Sequence, residues 1–238
     1  MKKVLLVFYV VVAVFCLTVN ANALLTGVSG PNSSFGTAAA IIGAPSDILD
    51  DFVFNTGMEG FNEIQDFTTA MAHAIDGGGL IAAGTAVDSH MIFLNSEDNR
   101  LLSHTAVVWT FDSLILGVMS DRNGNLEAAS TFELGAPMTN YTASFPGSGP
   151  AAPFGARGLE GGGDGYMISS DMLSITVNMV VSEPGDWIRV VTQADPVPES
   201  ATMVLVGLGL LGLAAAQRKL EGLSMNEIQT VHGEAVQR

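Results

Sequence analysis

Ile175-Thr176-Val177-Asn178-Met179-Val180-Val181, then Ser182-Glu183-Pro184-Gly185-Asp186, then Trp187-Ile188-Arg189-Val190-Val191-Thr192 is the stretch that decides the fold class. Ile175, Val177, Met179 and Val181 recur at every second position, with Thr176, Asn178 and Val180 between them. Side chains alternate across a strand, so this spacing sets one face on a core and leaves the other more exposed. Pro184-Gly185 fits the centre of a type II turn, the glycine taking the positive φ. The two runs therefore read as a β-hairpin.

Working outward, residues 114–119 and 126–131 flank Asp121-Arg122-Asn123-Gly124-Asn125. Asn-Gly is the strongest short hairpin signal, because a type I′ turn needs φ > 0 at both central residues. Further strands are expected at 51–55, 68–75, 80–83, 89–94, 106–111 and 166–169, separated by Gly, Asn and Asp turns. Alanine and methionine at 70–74 also fit a helix. Residues 146–153 read as an irregular loop, and residues 24–45, rich in Gly, Ser and Asn, as a flexible lead-in. The expectation is an all-β fold, a single β-sandwich or jelly-roll domain over 46–194.

Both ends of the chain read as addresses. Lys2 and Lys3 precede the apolar run 4–19, and Ala21-Asn22-Ala23 is an A-x-A cleavage site, so residues 1–23 form a signal peptide. The single cysteine, Cys16, lies inside that run behind the bulky Phe15, which excludes lipidation there and leaves the mature chain without disulfides. Residues 195–200 form a linker containing Pro198 and Glu199. After it come the uncharged, mostly apolar residues 201–216, and then Arg218 and Lys219. Such a run makes roughly 24 Å of helix, somewhat short of the ~30 Å hydrocarbon core, yet apolar enough to enter it. Residues 201–219 are expected as one C-terminal transmembrane helix with a basic stop, and 220–238 as a cytoplasmic tail.

Pro198-Glu199, the Leu/Gly-rich span and Arg218-Lys219 together resemble the PEP-CTERM sorting signal of exopolysaccharide-producing Gram-negative bacteria. The resemblance implies recognition by an exosortase-type membrane protease, which cuts near the motif and releases or transfers the protein. Ser200 departs from the family's second proline, and the tail 220–238 runs beyond its usual end. A retained membrane anchor is the alternative outcome. Residues 84–95, Trp109-Thr110-Phe111-Asp112 with 115–120, and 185–190 are similar to an uncharacterised β-rich set of exported PEP-CTERM proteins. That similarity implies a β domain and no activity.

Charge narrows the partners. Between Leu24 and Ser200 there are four arginines, no lysine and twenty-one acids, a formal charge near −17. Such a body repels nucleic acid. Asp121, Asn123 and Asn125 occupy the first, third and fifth places of a calcium loop, with Glu127 nearby. The glycine and glutamate that such a loop needs later are Leu126 and Phe132. The loop 160–165, with Glu160 and Asp164, is a second calcium candidate. A flexible connection is the other reading of that loop, and a hairpin turn of the first. Trp109 and Trp187 are expected in the core. Ser89, His90 and His104 are the set that a hydrolase would have to bring into one cleft, and no recognisable nucleophile elbow accompanies them. The expected protein is therefore non-enzymatic: an exported surface or matrix protein, associated with exopolysaccharide or biofilm and needing no cofactor. A carbohydrate- or calcium-binding module is the alternative.

Overall fold

The computed structural model describes residues 24–49, 53–97, 100–141, 157–182 and 185–194, together with Gly209 and Gly212. The signal region, Pro198, Glu199, Arg218, Lys219, the tail and, apart from those two glycines, the expected membrane span lie outside the described residues. Among the described residues no helix is long and apolar enough to cross a membrane. The described residues 24–194 belong to one compact unit.

The body is β-rich. Its strands are β1 (Leu25–Ser29), β2 (Ala40–Ile41), β3 (Glu59–Asn62), β4 (Phe67–Thr68), β5 (His73–Ala74) and β6 (Leu80–Ile81). They continue with β7 (Ala86–Leu94), β8 (Leu102–Phe111), β9 (Ile115–Met119), β10 (Gly165–Ile168), β11 (Ser174–Val181) and β12 (Asp186–Gln193). Among the described residues between β9 and β10 lies the α-helix α1 (Asn125–Leu134). One sheet runs β1-β8-β11-β10, the other β2-β3-β7-β12-β9 with β4 also on β7, and β5 pairs with β6 as a small ribbon.

The two larger sheets face each other across one core. Trp109, Val107 and Phe111 of β8 and Ile175, Val177, Met179 and Val181 of β11 meet Ile92 and Leu94 of β7 and Ile188 and Val190 of β12. Alternation in β11 is as the sequence predicts, with its odd-numbered residues buried and the even ones half-buried. Both tryptophans are fully buried, as expected. The second sheet is covered on its outer face too, where Phe61, Met91, Phe93 and Trp187 pack under Ile48, Leu49, Ala136 and Tyr141. A third layer of loop and helix thus backs the sandwich.

Several expectations are corrected. The runs 175–181 and 187–192 are strands but not a hairpin, since β11 pairs with β8 and β10, and β12 with β7 and β9. The two strands lie in different sheets. Gly185 is needed for close approach, because a Cβ there would run into the Leu94 carbonyl oxygen. Residues 126–131 belong to α1, not to a strand. Only Gly124 of the Asn-Gly pair has a positive φ, so the turn ends in a helix instead of reversing a strand. The lead-in carries β1 and β2, with Leu25 buried in the core, so the sandwich spans 25–193 and not 46–194. Residues 53–55 form no strand; the 68–75 run is broken into β4 and β5.

Candidate functional site

The outer face of the second sheet is built around a charge. In β12, Ile188 and Val190 point to the core, so Trp187, Arg189 and Val191 share the opposite face. Arg189 is fully buried there and forks onto Glu63, with Nε 2.7 Å from Oε2 and Nη2 2.8 Å from Oε1. Its remaining donors reach α1: Nη1 to the Glu127 carbonyl and Ser130 Oγ, Nη2 to Thr131 Oγ1. Tyr141 Oη and Ser89 Oγ donate to the two Glu63 oxygens at 2.6 and 2.7 Å. Burial would lower the Arg189 pKa, but the Glu63 carboxylate more than offsets this and holds it raised. Burial, with Glu63 beside it, pushes the Tyr141 phenol up. The network docks α1 and the 136–141 segment onto the sheet. It is a structural centre that reading for motifs misses; an arginine alone in an apolar strand is its only sequence signal.

The calcium candidates are dispersed by this arrangement. The Asp121 carbonyl accepts the Gly124 N–H at 2.7 Å, closing the turn, and Gly124 sits left-handed at φ 63° before the helix starts. Asp121 Oδ1 accepts the Leu126 N–H at 2.7 Å and Oδ2 the Asn125 amide at 3.1 Å. Burial would raise the Asp121 pKa, but these donors hold it below the usual carboxylate range. Its carboxylate is therefore a cap on the first turn of α1. Glu127 is buried beneath the helix, and burial first, then Asp121 and Asp76, push its pKa up to about 8 against the pull of Arg189. Among the described residues, no three of His, Cys, Asp and Glu stand together so as to hold a metal ion. Asp121→Ala is expected to cost about 1 kcal/mol as a lost cap, or about 2–4 °C in a melt, with or without a chelator.

The remaining titratable groups are also spread out. Ser89 and His90 are neighbours on β7 and so face opposite sides, Ser89 toward Glu63 and His90 toward Asn62 and Thr192. Burial drives the His90 pKa down to about 3, and its ring lies 4.9 Å from Phe111. His104 receives the Met58 N–H on Nδ1 and donates from Nε2 to the Pro31 carbonyl. The three do not form one cleft. Asp186, at the start of β12, is buried beside Asp164, whose Oδ1 accepts the Val180 N–H at 2.6 Å. Burial, then Asp164 and Glu160, push Asp186 up to about 9.

Both ends of the body meet at the turn between β8 and β9. Leu24 donates its N–H to Asp112 Oδ1 at 2.6 Å and its carbonyl accepts the Asp112 N–H. Gln193, the last residue of β12, donates to the Leu114 carbonyl at 2.8 Å. A β-sandwich whose last strand runs straight into a proline/acid motif, an apolar run and a basic stop defines an exported protein with a C-terminal sorting tail. The family model of the PEP-CTERM protein-sorting motif matches residues 196–219, and the chain carries that motif. The match takes in Pro198, Glu199, Arg218 and Lys219. It marks an exported, cell-envelope-associated protein and implies exosortase as its processing partner. No curated protein and no solved structure is significantly similar to the chain.

Proposed function

We propose that the protein is a surface or extracellular-matrix component that exosortase delivers and that then associates with exopolysaccharide or biofilm material, without catalysing a reaction. The observation that carries this reading is the sorting motif beginning at Pro196, two residues beyond the last described residue of the body. The surface charge fits it. Of the four body arginines, Arg157 and Arg189 are buried, Arg157 over the Trp187 ring, which leaves Arg100 and Arg122 outside among many carboxylates. Such a surface stays hydrated and repels nucleic acid and anionic headgroups. In this reading the apolar run 201–216 holds the chain in the membrane until it is cut.

The test is the mass of the mature C-terminus in a native host. A cut near Pro198 is expected, and a Pro198→Ala/Glu199→Ala variant should keep its sequence through Arg238 and remain with the membrane. Wild-type protein intact to Arg238 would refute processing. Unchanged location after deletion of 196–219 would refute sorting. Matrix association is read by extracting cells with and without exopolysaccharide synthesis; equal retention in both would remove that part.

A further inference from the structure

We propose that leader removal leaves Leu24 as the mature N-terminus and that Asp112 is the site that receives its new α-ammonium group. This rests on the export part of the function proposed above. The geometry is in place around one nitrogen. The Leu24 nitrogen lies 2.6 Å from Asp112 Oδ1, and the adjacent Leu25 nitrogen donates to Asn62 Oδ1 at 2.9 Å. Leu25 itself is a core residue at 4% exposure, packed with Trp109 and Phe111. A cut beyond Leu25 would strip the core, and a cut well before Leu24 would leave an extension in front of Asp112. Ala21-Asn22-Ala23 sets the bond between them, Ala23–Leu24.

In the cleavage step, a leader-removing peptidase adds water across the Ala23–Leu24 amide. The C–N bond breaks, Ala23 leaves with a carboxylate on the leader, and the Leu24 nitrogen takes up protons to become an ammonium. A neutral amide hydrogen bond to Asp112 thereby becomes a charge-assisted one. β1, an edge strand of the sandwich, is pinned by the same event. The Leu114 carbonyl, two residues along the same turn, holds the N–H of Gln193. Leu24 and Gln193, near the two ends of the described body, therefore meet at one turn. Because no lysine lies between Leu24 and Arg218, the Leu24 ammonium is the only primary amine of a body cut near Pro198.

The test is made on the full chain exported in a native host. Peptide mapping by mass spectrometry gives the start residue, and acetylation at pH 7 with an N-hydroxysuccinimide ester gives the reactivity of the Leu24 amine. A start at Leu24 is expected. Asp112→Asn should label about two- to fivefold faster, the effect of losing an exposed ion pair, while Asp112→Glu should stay near wild type. Asp112 is exposed, so the variants should keep the wild-type melt, which is checked alongside. A start at any other residue, or equal labelling of wild type and Asp112→Asn, overturns the proposal. The C-terminal peptide is read in the same digest, separately from Lys219 if that is retained. An uncut C-terminus with a Leu24 start sinks the sorting proposal alone; a cut one with another start sinks this one alone.

Discussion

Arg189→Met is expected to destabilise the body by about 3–5 kcal/mol, because it leaves the Glu63 carboxylate buried without its counter-charge. For a domain of this size that is a fall in Tm of roughly 6–20 °C. Glu63 and Arg189 both have fully buried side chains, so water cannot replace the lost partner. Ser130, Thr131 and the Glu127 carbonyl would lose their donor at the same time, which loosens α1 from the sheet. Glu63→Gln should be similarly costly, since it strands the guanidinium instead. The double variant Arg189→Met/Glu63→Gln is expected to recover much of the loss, as no charge is then left unpaired. Thermal melts of the four proteins give the coupling directly. Single variants within about 2 °C of wild type, or strictly additive losses, would show that the pair does not hold the third layer.

That network also explains which parts of the fold could be read in advance. Ile175 to Val181 alternates because β11 has one face on the core and the other toward solvent, and period two is visible in such a strand. Trp187-Ile188-Arg189-Val190-Val191 does not alternate, because β12 is covered on both sides. Read together, those two patterns belong to strands of different layers, which is why the Pro184-Gly185 turn signal did not make them a hairpin. α1 was hidden for a related reason. Its buried face is Glu127, Ser130, Glu133 and Leu134, spaced as a helix but mostly polar, so apolar periodicity carries no trace of it. The spacing makes sense only once Arg189 is known to lie beneath. β1 was lost to composition: a Gly/Ser-rich stretch with one leucine at the right place reads as a loop until β8 is seen beside it. The sorting tail was legible because an address is read by other proteins from local sequence and needs no tertiary contact to be complete.

Stability is expected to fall as pH rises from about 5 to 9, and Asp186→Asn is expected to remove much of that fall. Asp186 and Glu127 are responsible, with pKa values pushed up to about 9 and about 8 by burial. In the unfolded chain both ionise near pH 4. Between pH 4 and 8–9 the folded state therefore binds more protons than the unfolded one, and each step up in pH costs stability. The contribution is whole below about pH 4 and is lost as pH passes through the folded values. Asp164 and Glu160 stand near Asp186, so ionising it sets a further negative charge beside two other carboxyl groups. An asparagine keeps the shape and never ionises. At pH 8 it should gain at least about 1–3 kcal/mol, because the unfolded wild type releases a proton that the folded protein must hold, or roughly 2–12 °C in Tm. At pH 4 and below, where the unfolded chain also holds this proton, the two proteins should melt nearly together. Glu127→Gln gives a smaller and separate flattening centred one pH unit lower. Because Asp186 holds its proton at pH 8, millimolar calcium should leave the pH 8 melt unchanged. A calcium-dependent rise of more than about 2 °C that disappears in Asp186→Asn would instead assign these carboxylates to a cation, and a flat wild-type profile from pH 5 to 9 would refute the protonated Asp186 outright.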